Sequence, residues 1–351
     1  MRIIVNNIAA NSSGALSILT DFHNYLVESN DNNEWIFLLS DNFFKESKNI
    51  KILTFPKVKK SRLNKLAFDY IYGAKIIKRL KPDIVFSMQN IITFRLKVPQ
   101  IVYLHQAIPF QNYINFNLLK KSERHLAIYQ HLISKVIFAS LKKSSKVIVQ
   151  TNSMKNSVLN KIHIPSSKVF VINPQVKIDP VESKDNSDPN IVSFFYPAIN
   201  EVYKNHKVIL DACQILLTKN TTDFKIYLTI DGEDTENIKY LGKISREEVF
   251  KKYTQSTLIF PSLIESFPLP LIEAAVYGSL ILAGNTSFSQ EILRDYRNAY
   301  FFSPLIPTEL SSLMEKVINK EIQNQKVLFN QNTTGWKEVV ALIVSTCDKS
   351  S

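Results

Sequence analysis

The feature that most constrains this chain is an alternation. Short apolar, β-rich runs are each followed by a longer stretch with helical spacing. The pattern occurs twice, on either side of a segment at 173–190 rich in Pro, Ser, Asp and Asn. In the first half, 2–6, 35–39, 50–54, 83–88, 100–104, 146–150 and 168–172 read as strands. Residues 14–29 read as a helix, with Leu16, Leu19, Phe22 and Leu26 three or four apart. A helix at 63–80 is stopped by Pro82, 116–143 reads as mostly helical, and Thr151 or Asn152 caps a helix leading to His163. In the second half, strands at 191–195, 224–231, 257–260, 279–283 and 298–302 alternate with helices at 205–218, 245–253, 268–277 and 307–320, and 336–346 closes the chain. Ser245 and Glu248 have capping-box spacing, and Pro268 and Pro270 suit a first helical turn.

Parallel strands joined by crossover helices satisfy this pattern, with helices on both sheet faces. The expected fold class is therefore α/β, as two Rossmann-like parallel-sheet domains facing across a cleft. The expected divisions are 1–175, a linker at 176–190, 191–335, and a final helix at 336–351 packing back on the first domain. In such sheets ligands bind at the carboxyl ends of the strands, where strand order reverses.

Composition narrows the class. The chain has 351 residues, 45 % of them apolar, enough for two buried cores, while 7 Gly and 2 Cys exclude collagen-like and disulfide-framework classes. Cys213 and Cys347 have neither metal-ligand nor redox spacing, as expected of a reducing compartment. The start of the chain lacks the pattern of a signal peptide. No apolar run reaches the roughly 18 residues of a membrane-spanning helix. A cytoplasmic protein is expected, peripheral on the inner face of the cytoplasmic membrane.

The charge is lopsided. Residues 1–180 hold 26 Lys and Arg against 10 Asp and Glu, and 181–351 hold 17 against 21, so the net +12 arises as +16 and −4. Basic residues are densest at 57–62, 75–81 and 120–124. Solubility alone, nucleic acid, an anionic membrane face or a phosphorylated substrate would each account for this. No zinc spacing, RNP-type aromatic signature or basic zipper accompanies the charge, so nucleic acid is not an expected partner. Lys and Arg gain roughly 1 kcal/mol each near an anionic lipid surface, which makes that surface the expected one.

The segment 260–283 carries the most chemistry. A buried strand ends at Pro261, a loop bears Glu265, a helix begins near Pro268–Leu269, and Glu273 falls about one turn inside it. A helix N-terminus at a strand end suits a diphosphate. The two carboxylates can accept hydrogen bonds from sugar hydroxyls, or can simply complement the helix dipole. Burial in so apolar a run favours acids that have partners.

Glu265, Ser266, Phe267, Leu269, Pro270, Leu271, Glu273, Ala274 and Gly278 together resemble the C-terminal signature of retaining GT-B glycosyltransferases of the family 4 (group 1) type, the bacterial surface-polysaccharide branch. The resemblance implies that Glu265 meets the transferred sugar, Glu273 the ribose hydroxyls, and the amides around Phe267, Pro268 and Leu269 the sugar and phosphate. Pro268 stands where the family usually has Gly, which removes one N–H. Residues 196–206 resemble the segment that supplies an Arg and a Lys to the donor diphosphate; Lys204 matches the Lys, and Ala198 occupies the Arg position. Gly242 resembles the turn beside the base. Gly14, in 11–15, resembles the loop approaching donor phosphate and acceptor, and His105 the histidine facing the transferred sugar.

There is no Asp-x-Asp for a metal–diphosphate site, and His125 and His131, six apart, do not share a metal face. The resemblance thus implies a retaining, metal-independent glycosyltransferase without cofactor. It would use a UDP- or GDP-linked sugar as donor and a saccharide acceptor, in lipid-diphosphate-linked form, in O-antigen, capsule or exopolysaccharide synthesis. His105, Glu265 and Lys204 would be catalytic. Ala198 and Pro268 favour the alternative, a catalytically impaired nucleotide-sugar binding or scaffold protein; phosphorolysis or epimerisation is a further GT-B reaction.

Overall fold

A computed structural model describes residues 1–8, 13–29, 31–59, 64, 67–174, 191–329 and 335–348. The expected linker at 176–190 and the loop residues Asn11 and Ser12 lie outside them, as do 60–62 of the first basic run. The chain divides into two compact units. One comprises Met1–Phe110, Phe116–Gln175 and Thr333–Ser351, and the other Gln111–Asn115 and Val176–Asn332.

The described residues of the first unit form a seven-stranded sheet from β1 (Arg2–Asn6), β2 (Glu34–Leu39), β3 (Ile50–Thr54), β4 (Ile84–Ser87), β5 (Gln100–Tyr103), β6 (Lys146–Val149) and β7 (Val169–Val171), ordered β3-β2-β1-β4-β5-β6-β7 and parallel throughout. Its alternating side chains feed two cores. Ile3, Val5, Phe37 and Phe86 pack with Leu19, Phe22 and Leu26 of α1 (Ser13–Glu28). Ile4, Ile36, Leu38 and Val85 pack with Phe68 and Ile77 on the opposite face. That is why the central stretches of these strands, such as Ile3–Val5, Trp35–Leu39 and Ile84–Phe86, are continuously apolar rather than alternating. Phe68–Tyr72 is a π turn leading into α2 (Gly73–Arg79). The stretch expected to be helical from 116 becomes so only at Arg124. It then passes through a second π turn, Tyr129–Ile133, into α3 (Ser134–Lys143). Before Arg124 the Glu123 carboxylate accepts the Asn117 N–H at 3.0 Å, closing a loop where a helix would have opened. Thr151, rather than Asn152, caps α4 (Asn152–Lys161), accepting the Met154 N–H at 3.1 Å. The C-terminal helix Gly335–Asp348 adds Trp336, Val339 and Ile343 to the α1 core, and the Trp336 ring lies 4.8 Å from Phe22 and 5.7 Å from Tyr103.

The second unit repeats the plan. Its described strands are β8 (Val192–Tyr196), β9 (Phe224–Leu228), β10 (Ile238–Tyr240), β11 (Thr257–Phe260), β12 (Ile281–Gly284) and β13 (Ala299–Phe302), parallel in the order β10-β9-β8-β11-β12-β13. Helices α5 (His206–Thr218), α6 (Arg246–Gln255), α7 (Leu269–Val276) and α8 (Ser287–Ile292) connect strands of this sheet, and α9 (Pro307–Ile318) follows β13. The capping box at Ser245 and Glu248 opens α6. Edge strand β10 and the short α8 were not expected from the sequence. Strand order reverses between β8 and β11, so the loops after these two strands emerge side by side.

Candidate active site

The loop after β8 turns through Val202–Lys204 and reaches Asn205, whose φ of 59° is left-handed and sets the entry into α5. Asn tolerates this conformation better than most residues. Its side chain also donates to the Pro304 carbonyl at 2.6 Å and the Pro261 carbonyl at 3.3 Å, tying the loop to the ends of β11 and β13. The Leu263 N–H donates to the Tyr203 carbonyl at 2.9 Å, and the Tyr196 hydroxyl to the Lys204 carbonyl at 2.9 Å. The two loops are therefore cross-braced before any side chain acts.

That bracing brings Lys204 and Glu265 together across 61 residues of sequence. Their Nζ and Oε1 lie 2.5 Å apart, with side chains only 15 % and 13 % exposed. The ammonium also lies 5.5 Å from the centre of the Tyr203 ring. A charge-assisted bond this well shielded is strong, and its rupture leaves an uncompensated charge. Next to it, His206 begins α5. Burial, then the Lys204 charge, pushes its imidazole down to about 4, against a hydrogen bond to the Ala198 backbone. Its Nε2 is buried and has no hydrogen-bond partner among the described residues.

Glu273 lies one turn into α7 and is 7 % exposed. It does not stand unpartnered. Arg246 on α6 donates to Oε1 at 3.1 Å and the Tyr253 hydroxyl to Oε2 at 3.2 Å. Burial raises its carboxyl above the usual range, with Arg246 and then Tyr253 opposing the shift.

Helix α7 starts differently from the amide-rich anion site that its position suggests. Pro268, at φ −81° and ψ 75°, is the centre of an inverse γ-turn in which the Leu269 N–H donates to the Phe267 carbonyl at 3.0 Å. The Leu271 N–H donates to the Pro268 carbonyl at 3.0 Å, and neither Pro268 nor Pro270 has an N–H. The first turn thus offers few uncommitted donors. Phe267 is half-buried and Leu269 exposed. Gly242, after β10, has a φ of 58° that its lack of a side chain permits, and its N–H donates to the Ile230 carbonyl at 3.3 Å.

The other two sites lie in the first unit. His105 follows β5. Its N–H donates to the Asn90 side chain at 2.7 Å, and its Nε2 lies 3.0 Å from the Met88 carbonyl. A carbonyl partner makes Nε2 the protonated nitrogen and, among the described residues, leaves buried Nδ1 as an acceptor without a partner. Desolvation pushes the ring down to about 4, so it is neutral at pH 7. Gly14 lies in the first turn of α1.

Sequence reasoning missed Asn205, His206, Arg246 and Tyr253. Asn205 did carry a signal, an Asn at a loop-to-helix junction. Arg246 and Tyr253 carried none, because their link to Glu273 is purely tertiary.

Comparison with known proteins agrees with this architecture. The model described as "Glycosyl transferases group 1" matches residues 177–334, and that for "Glycosyltransferase Family 4" matches 14–179. The chain is 24 % identical over 260 residues to the O-antigen chain mannosyltransferase RfbU of Salmonella typhimurium, covering 69 % of this chain and 70 % of that protein. It is 23 % identical over 284 residues to the capsular polysaccharide biosynthesis glycosyltransferase CapH of Staphylococcus aureus, covering 76 % and 79 %. The crystal structure of Anabaena Alr3699/HepE in complex with UDP-glucose superposes with a TM-score of 0.60 at 14 % identity, covering 92 % of this chain and 90 % of that one. With one family model on each half and two parallel Rossmann-like sheets of the GT-B class, the chain belongs to the group 1, family 4 glycosyltransferases.

Proposed function

We propose that this glycosyltransferase is retaining and metal-independent, and moves a sugar from a UDP- or GDP-linked donor to a lipid-diphosphate-linked saccharide in bacterial surface-polysaccharide synthesis. The observation that carries the reading is the Lys204–Glu265 pair, at the strand-order reversal and inside the family signature. The UDP-glucose bound to the Anabaena relative and the O-antigen and capsule names of the sequence relatives support the donor class and the product class.

In this reading the second unit holds the donor. Lys204 takes the diphosphate, Glu265 the sugar hydroxyls, Glu273 the ribose, and Gly242 lies by the base. Gly14 and neutral His105 serve the sugar and acceptor from the first unit. The acceptor oxygen bonds to the anomeric carbon as the bond from that carbon to the phosphate oxygen breaks. The acceptor proton passes to the leaving phosphate on the same face, so configuration is kept. Lys204 stabilises the charge that grows on the diphosphate.

A thermal-shift panel of UDP, GDP and their sugars tests the reading. At about 100 times its dissociation constant a ligand adds roughly 2.7 kcal/mol of stability, so the cognate donor gives a clear rise. A flat panel overturns it. The second reading, a binding protein without transfer, is favoured by Ala198 and by the committed amides at Pro268. Donor turnover abolished by Glu265→Gln excludes it.

A further inference from the structure

We propose that the loop 116–124 is a membrane-docking element that inserts Leu118 and Leu119 into an anionic lipid bilayer. Leu119 is 87 % exposed and Leu118 45 %, side by side. Lys120, Lys121 and Arg124 follow them, all exposed. Leu132, 56 % exposed, and exposed Lys135 repeat the pairing on the helix beyond.

The loop is built to hold the leucines out. Phe116 is buried at its base, its N–H donating to the Gln130 side chain at 2.9 Å. The Leu119 N–H donates to the Asn117 side chain at 2.8 Å, and Arg124 Nε to the Leu118 carbonyl at 3.2 Å. Glu123, the single acidic residue between 112 and 135, is turned inward onto the Asn117 N–H at 3.0 Å and pairs with Lys120 at 3.1 Å. The tip therefore presents two apolar side chains with unopposed Lys121 and Arg124 beside them. One apolar insertion alone gives only marginal membrane binding, and a basic cluster beside it supplies the second signal that stable peripheral attachment requires. A second copy of the chain is a poor occupant, since a stable dimer buries about 800 Å² on each partner and two leucines supply a fraction of that. The loop also offers no exposed aromatic platform for nucleic acid.

The purpose of the contact, delivery to a lipid-linked acceptor, rests on the proposed function; the contact itself does not. The test uses the full chain with vesicles of phosphatidylcholine, with and without phosphatidylglycerol, and no donor or acceptor. Wild type is expected to float with the anionic vesicles only, and to be released in about 1 M salt, where the Debye length is about 3 Å. Leu118→Ser with Leu119→Ser, and separately Lys121→Glu, are expected to weaken binding by about tenfold or more, with unchanged melting temperature and unchanged response to nucleotide sugars. In Leu119→Trp, emission is expected to shift to the blue with anionic vesicles; Trp35 and Trp336 are already buried and contribute no shift. Equal binding by the leucine variant, loss of binding only on Lys75→Glu with Lys78→Glu, or a concentration-dependent dimer abolished by the leucine changes would each overturn the proposal. Vesicle binding with a flat nucleotide panel would instead overturn the transferase reading alone.

Discussion

At Glu265 the carboxylate and the incoming diphosphate compete for one cation. Lys204 is already neutralised, so a nucleoside diphosphate must part the pair and leave a shielded carboxylate behind. A nucleotide sugar brings hydroxyls to that carboxylate, so it compensates both halves. Glu265→Gln is therefore expected to act in opposite directions. Calorimetry should show the nucleoside diphosphate binding more tightly and the nucleotide sugar more weakly, each by about tenfold, the scale of one charged hydrogen bond. Weaker binding of both ligands would show that Lys204 does not wait on Glu265. His105 and His206 supply a second expectation. Both are held near 4 in the folded protein, below the unfolded value of about 6.5. Protonation therefore favours the unfolded chain, and stability is expected to fall from pH 6.5 down to 4. Urea midpoints across that window check it, and His206→Asn should flatten the slope.

Between elements, Glu273 is the joint of α6 and α7. Arg246 is half in solvent, so its pairing with Glu273 is partly screened. Arg246→Ala is expected to cost about 1 kcal/mol at pH 7. Glu273 already has a raised pKa, and losing Arg246 raises it further, so protonation removes the uncompensated charge. The loss should shrink as pH falls toward 5; denaturant melts at both values decide, and a loss that grows on acidification would be contrary. This pairing also shows what the sequence could and could not tell. The motif at 265–273 placed both carboxylates on the loop and helix they occupy, because strand, Pro and helix signals are local. The partners of those carboxylates were invisible, because Lys204, Arg246 and Tyr253 reach them only through the fold. The same distinction explains the elements. Strands buried on both faces announced themselves by continuous apolar runs, whereas the three-residue edge strand β10 has too short a pattern to read. The helical spacing of 116–143 was real from Arg124 onward, but the side chains of Asn117 and Glu123 capture backbone N–H groups and convert its start into a loop.

Across the whole chain, the last helix matters out of proportion to its length. Trp336 shares one core with Phe22 and Tyr103, although more than 200 residues separate it from either. Trp336→Ala is expected to destabilise the first unit by about 3–5 kcal/mol, the usual range for an aromatic removed from a core. Two-wave unfolding, with only the transition of the first unit shifted, would verify this; a shift confined to the second would refute it. A fragment of residues 1–174 should expose apolar surface to a hydrophobic dye and lose it when a peptide of 335–348 is added.

Synthesis on the ribosome gives that arrangement a timetable. Once residue 174 has emerged, translation of the 160 or so residues before the closing helix takes roughly 10–30 s. For that interval the aromatic wall around Phe22 and Trp35 has no cover. The unit begun second can finish folding first, while the unit begun first waits, sticky and incomplete, for the helix at 335–348 to emerge. A host making this protein faster than its chaperones can shield such waiting intermediates should accumulate it as inclusion bodies, and slower expression should recover it.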